Sequence, residues 1–266
     1  MDSAPLDAAE ALRCLPMFLE SLHHEPNFVC EPIVYDIAAL GPAVVPRLMT
    51  HLRDVSLPAH VRGYIADSLA EIGDARATEA LIDALDDEDP DLCISAPIAL
   101  AQMPGLAWER MRNLLPDPRW RVRASAALVL GELGDPQALP ALWAALCDRD
   151  PQVVWFVLIA LAKTPDPHTV THVLPFMQSP EVTLRWQAAD TLGYLDDPRV
   201  LPALLTALDD PDATVRKFAA YALKNRRSAA ARPALLAHHD DPAWEVRMAI
   251  TAALAALQSE GAEDAA

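Results

Sequence analysis

Apolar residues recur along this chain at i, i+3, i+4 and i+7, the spacing of one helix face. In Val200-Leu201-Pro202-Ala203-Leu204-Leu205-Thr206-Ala207-Leu208 the stripe runs up to an acidic turn. Beyond the turn Val215, Ala219, Ala222 and Leu223 begin a second stripe. No period-two alternation appears, so no strand is predicted. The two-stripe unit returns along the chain, marked by a proline and, in most copies, an aliphatic residue and an arginine. The prolines 58, 90, 118, 151, 180, 211 and 242 are 32, 28, 33, 29, 31 and 31 residues apart. First helices (A) are predicted near 6–22, 43–53, 75–86, 105–115, 136–147, 167–178, 198–209 and 229–238. Second helices (B) are predicted near 26–39, 58–72, 90–103, 118–133, 151–163, 180–194, 211–225 and 242–258. The eight antiparallel pairs (6–39, 43–72, 75–103, 105–133, 136–163, 167–194, 198–225 and 229–258) form one expected domain, 1–258, with a disordered acidic tail at 259–266. A two-helix unit this short cannot bury its stripe alone, so the expected fold is all-α, an α-α superhelix in which units stack.

The turns support this reading. Asp210 is expected as an N-cap and Pro211 as the first helical residue, where its missing N–H costs nothing. Gly41, Gly73 and Gly134 suit a left-handed residue just past a helix end. Asp74, Asp135 and Asp197 stand ready to open the following helix. Pro97 interrupts its B helix, so either Ser95 caps a late start or the helix kinks.

The stretches 118–135 and 211–223, with their Val122-Arg123 and Val215-Arg216 pairs, resemble HEAT repeats. More closely they resemble the bacterial HEAT-like repeats named after phycobilisome lyases, over about residues 26–258. The resemblance implies B helices on the concave face and an arginine–aspartate ladder between turns, formed by Arg62, Arg123, Arg185, Arg216 and Arg247. Copies three and five carry Ser95 and Trp155 instead, where the ladder is expected to break. The group includes chromophore lyase subunits, scaffolds, a DNA glycosylase family and an iron hydroxylase family.

Net charge changes the choice among these. The chain has 38 acids against 21 bases, −17 in all. That counts against nucleic-acid or anionic-membrane binding, with Arg119, Arg121 and Arg123 as the one basic stretch that keeps a glycosylase reading open. No signal peptide and no membrane span is read, and the cytoplasm is the expected compartment. Cys14, Cys30, Cys93 and Cys147 form no zinc spacing and are read as reduced thiols. The acidic runs 86–89, 209–212 and 240–241 fall in turns and are read as caps. His168 and His172 lie four apart without the His-Glu-x-x-His order, and of the His-Glu dyads of the iron hydroxylases only His24-Glu25 matches. No catalytic residues, metal or cofactor are assigned.

The most suggestive pattern lies on three consecutive B helices. Aligned on Val154, Leu184 and Val215, positions two, three, six and ten later bring Phe156, Trp186 and Lys217, then Val157, Gln187 and Phe218, then Asp190 and Tyr221, then Tyr194. With Trp155, these residues are expected to form a partner-binding stripe edged by Gln187, Asp190 and Lys217; the other reading puts some rings, Phe218 first, in the core. The run 153–162 has no polar residue, so its concave side should be covered. The expected role is a non-enzymatic scaffold holding a basic or neutral protein or peptide, with self-association left open. The alternative is a phycobilisome-lyase-like protein handling a bilin, and the third reading is base excision.

Overall fold

The computed structural model describes residues 7–24 and 31–263. Glu25, Cys30 and the last three tail residues lie outside them, so the His24-Glu25 dyad does too. All regular structure among the described residues is helical. The chain packs as two compact units, residues 1–133 and 134–266.

Unit 1 holds α1 (Ala8–His24), α2 (Glu31–Ala39), α3 (Val45–Leu52), α4 (Ala59–Ile72), α5 (Ala77–Ala84), α6 (Pro90–Ala101), α7 (Pro104–Leu114) and α8 (Trp120–Leu133). Its B helices pack in sequence, α2 on α4, α4 on α6 and α6 on α8. Unit 2 holds α9 (Leu139–Ala145), α10 (Pro151–Lys163), α11 (Thr169–Val173), α12 (Val182–Leu192), α13 (Val200–Ala207), α14 (Ala213–Arg226), α15 (Arg232–Ala237) and α16 (Trp244–Glu263). Here α10 packs on α12, α12 on α14 and α14 on α16. The last helix runs into the expected tail, since Ala, Gln and Glu propagate a helix and no proline stops it.

Several A helices begin or end in a tight 3-10 turn: Pro136–Ala138, Leu174–Gln178 and Ala229–Ala231. Pro140, Pro175 and Pro233 explain this, because each lacks the N–H that would bond four residues back. Gly41, Gly73 and Gly134 have φ of +73, +68 and +62°, the left-handed turn that ends a helix without a Cβ clash.

Caps set the B-helix register, and they move two expected positions. The N-cap of α14 is Asp212, which accepts from Thr214 N, and the helix starts at Ala213, two residues past the expected Pro211. Asp210 instead accepts the N–H of Asp212 at 2.9 Å and turns its carboxylate toward the preceding repeat. The N-cap of α10 is Asp150. Counted from the caps, Val153, Leu184 and Val215 are equivalent, so copy five is aligned on Val153 and not on Val154. Val154 then takes the ladder-arginine position, and Trp155, Trp186 and Lys217 share the next. Burial supports this register: Val153, Val157, Leu158, Ala160 and Leu161 are buried, as are Leu184, Ala188, Ala189, Thr191 and Leu192, and Val215, Ala219, Ala220, Ala222 and Leu223. Each helix thus buries two sides, each large aliphatic side chain contributing about 1.5–3 kcal/mol. Small residues let the helices close up: a Cβ on Gly193 would sit 2.9 Å from Ala222 Cα. Thr191 Oγ1 donates to Leu158 O at 2.9 Å across the same stack.

Copy three carries the same lesson. Its helix α6 starts at Pro90 and runs through Pro97, so a late start capped by Ser95 does not occur. Cys93, not Ser95, stands at the ladder position. Its thiol donates to Asp87 O at 2.9 Å, the bond an arginine makes in other copies.

Candidate functional site

The ladder fixes the frame. Arg185 Nε and Nη2 donate to the two oxygens of Asp210 at 2.9 and 3.1 Å, and Arg216 does the same to Asp241 at 2.7 and 2.9 Å. Arg62 holds Asp87 with both terminal nitrogens. The free Nη1 turns back onto its own turn, as from Arg216 to Asp210 O (2.9 Å), Arg247 to Asp241 O (2.7 Å) and Arg123 to Asp117 O (2.8 Å). These charge-assisted bonds hold Asp241 below the usual carboxylate range, the Arg216 bond being the largest cause. Copy five has Val154 where the arginine would be, and copy six has Ser179 where its aspartate would be, so both halves of that rung are absent together. The acidic runs therefore serve turns and arginines. Among the described residues no group of three His, Cys, Asp or Glu is placed to hold a metal.

The register leaves one strip of α10 and of α14 uncovered, five, six, nine and thirteen residues past the cap, and the same strip of α12 apart from its sixth position. In unit 2 this strip is aromatic. Phe156 meets Trp155 edge to face at 4.8 Å, Trp155 meets Trp186 at 6.1 Å, Trp186 stacks on Phe218 at 4.5 Å and 24°, and Phe218 meets Tyr221 at 6.1 Å. Five rings thus run without a break across α10, α12 and α14. Trp155, Phe156, Trp186 and Phe218 are half-buried, so they form a face and not an interior. Lys217 Nζ lies 5.1 Å from the Phe218 ring centre, a cation–π contact. At the helix N-termini a cleft of about 480 Å³ opens between Gln152, Trp155, Phe156, Glu181, Thr183 and Trp186.

Two expected members sit elsewhere. Gln187 is only 3% exposed, because its side chain turns in to bond Asp190; it packs beneath the stripe and does not edge it. Burial pushes the Asp190 carboxyl above the usual range, and the Gln187 bond opposes this. Tyr194 is 51% exposed and joins no ring contact among the described residues. The expected cover over α10 is partial: Trp155, Phe156 and Ile159 remain half-buried, with Trp186 against Trp155.

Other candidates have local explanations. His168 bonds Asp166 at 2.9 Å, and His172 stacks on Trp143 at 4.8 Å and 11°. In the basic stretch, Arg119 bonds Asp117 at 3.0 Å, Arg121 lies 5.1 Å from the Trp120 ring centre and Arg123 is buried. Sequence reasoning passed over one place, the cleft in unit 1 around Asp67. Its signal was a carboxylate, Asp67, midway along a B helix and away from the capping turns that hold the aspartates of the ladder.

No helix among the described residues is long and apolar enough to cross a membrane. The HEAT-repeat family model matches residues 109–182 and 170–255, and the PBS lyase HEAT-like repeat model matches 61–87. The bilin biosynthesis protein PecE of Nostoc sp. (strain PCC 7120) is 42% identical over 69 residues, 26% of this chain; the chain covers 27% of that protein. Among solved structures, Kap121p is similar with a TM-score of 0.65 at 13% identity, over 94% of this chain and 34% of that one. The CpcE–CpcF complex of phycocyanin lyase from Nostoc sp. PCC7120 gives a TM-score of 0.48 at 23% identity, over 80% of this chain and 94% of that one. With more than half of its length matched and all regular structure among the described residues helical, the chain belongs to the HEAT-repeat proteins.

Proposed function

We propose that the chain is a chromophore-handling module whose aromatic face in unit 2 holds a flat conjugated ligand of the bilin class. The observation that carries this reading is the unbroken run of five rings, four of them half-buried, with Trp186 stacked on Phe218 at its centre. Offset stacking on such rings favours planar conjugated ligands. Asp190, one turn beyond Trp186, offers an oxygen for ligand N–H groups, and Lys217 at the edge offers a cation for a ligand carboxylate. Kinship with PecE over 69 residues supports the same reading. In this role the face binds and orients; no bond-making residue is assigned.

Biliverdin titrated into the protein should shift its visible absorption and saturate. The double variant Trp186→Ala/Phe218→Ala should weaken binding by about tenfold or more, and Tyr194→Ala should leave it within about twofold. Absence of a saturable shift, or equal binding by the double variant, would overturn the reading.

A second reading, the scaffold for a protein or peptide, has one observation in its favour. The neighbouring helix α16 adds two exposed apolar side chains, Trp244 and Met248, 63% and 61% exposed, so unit 2 offers more apolar surface than one small ligand covers. With a charge of −17 the partner would be basic or neutral. A colourless protein that retains one polypeptide through Trp186 and Trp244 would favour this reading over the first.

A further inference from the structure

The B-helix strip of unit 1 encloses a cleft of about 290 Å³ between α2, α4 and α6, lined by Val34, Tyr35, Tyr64, Asp67, Glu71, Ser95, Ile98 and Gln102. Its two charged groups are both carboxylates, on one face of α4 at i and i+4. Asp67 is half-buried and has no hydrogen-bond or ion-pair partner among the described residues. This sets it apart from its peers: Asp87, Asp210 and Asp241 each hold an arginine, and Asp190, at the same position of its helix, holds Gln187. A carboxylate stripped of water and left unpaired is expensive, and a cation set against it removes that cost.

We propose that this cleft receives one basic side chain of a bound polypeptide, a guanidinium or an ammonium, with Asp67 as its counter-ion and Tyr35 and Tyr64 as ring walls. The volume accommodates such a side chain. The chain's excess of acids draws basic segments toward the surface. Rings beside the carboxylate favour a soft, planar guanidinium. The proposal concerns unit 1 alone and stands or falls separately from the ligand face of unit 2.

Burial lifts the Asp67 carboxyl to about 6. The titratable groups around it are Glu71 and Tyr64 on its own helix and Tyr35 on α2; α6 contributes only Ser95, Ile98 and Gln102. Cation binding therefore needs Asp67 ionised and weakens as pH falls through about 6.

The test is an NMR titration of the full chain with the blocked tripeptide Gly-Arg-Gly and its Gly-Gln-Gly counterpart. The arginine peptide should shift Tyr64 and Asp67 resonances saturably, and the glutamine peptide should not. Affinity should fall about tenfold between pH 7.5 and pH 5, following the ionised fraction of Asp67. Asp67→Asn removes a desolvated charge, so the variant folds, and it should lose the binding. Gln102→Lys should supply the cation from within and abolish binding of the peptide. Equal response to both peptides, or full binding by either variant, would overturn the proposal.

Discussion

The uncovered strips of α4 and α14 occupy the same positions relative to their caps, yet they carry opposite chemistry. In α4 the strip reads Tyr64, Asp67 and Glu71, its first position being the buried Gly63; in α14 it reads Lys217, Phe218, Tyr221 and Asn225. Both helices use the same frame: a ladder arginine four residues past the cap, a partner aspartate 25 residues further on and small residues where helices touch. The repeat thus separates what stacks the helices from what the stack presents. Unit 1 presents an acidic, tyrosine-walled cleft, and unit 2 a run of rings.

If frame and face are separable, damage to the frame should be costly in either unit and damage to the faces mild. Arg216→Ala leaves the buried Asp241 without its counter-ion, with only the Ala243 N–H to hold it, and should cost about 3–5 kcal/mol of stability, with Arg62→Ala similar; chemical denaturation measures both. Next come the two glycines at helix contacts. Gly193→Ala drives a Cβ onto the Ala222 backbone and should cost about 2–3 kcal/mol. Gly63→Ala meets the Ser95 hydroxyl, which can rotate away, and should cost under about 1 kcal/mol. Equal losses would mean that the two contacts are equally rigid.

The faces should respond in opposite directions. Asp67 is raised from 3.8 to about 6, so between those values the folded state holds more protons than the unfolded one. Stability should fall as pH rises from about 4 to about 6 and stay level above, with a span of about 1–3 kcal/mol from this group. Asp67→Asn should therefore raise the melting temperature at pH 7.5, by about 1–3 kcal/mol of stability, and the gain should vanish near pH 4. Trp186→Ala strips half-buried ring contacts and should cost about 1–2 kcal/mol. A melting temperature that collapses in this variant would place the ring in the core and return the face to the frame.

The period and the turn prolines made the paired helices legible, because a helix face needs 3.6-residue spacing and a proline marks the turn at or just ahead of each start. The register of copy five was not. Val153 and Val154 are both aliphatic and no arginine follows either; the N–H that Gln152 donates to Asp150 Oδ1, together with burial, fixes the phase. Copy three, spaced at 28 residues, hid Cys93 behind Ser95 in the same way. The rings could be read from sequence because equal positions of stacked repeats become neighbours. Gln187 could not, since a buried glutamine depends on finding Asp190 one turn away on the same helix.

The central claim is that Trp155 and Trp186 line a ligand face in unit 2. Fluorine NMR of the 5-fluorotryptophan-labelled protein, titrated with biliverdin, tests it most directly. The account predicts saturable shifts of the Trp155 and Trp186 resonances while those of Trp108 and Trp120 stay in place. Shifts confined to other tryptophans, or no shift at saturating biliverdin, would contradict it.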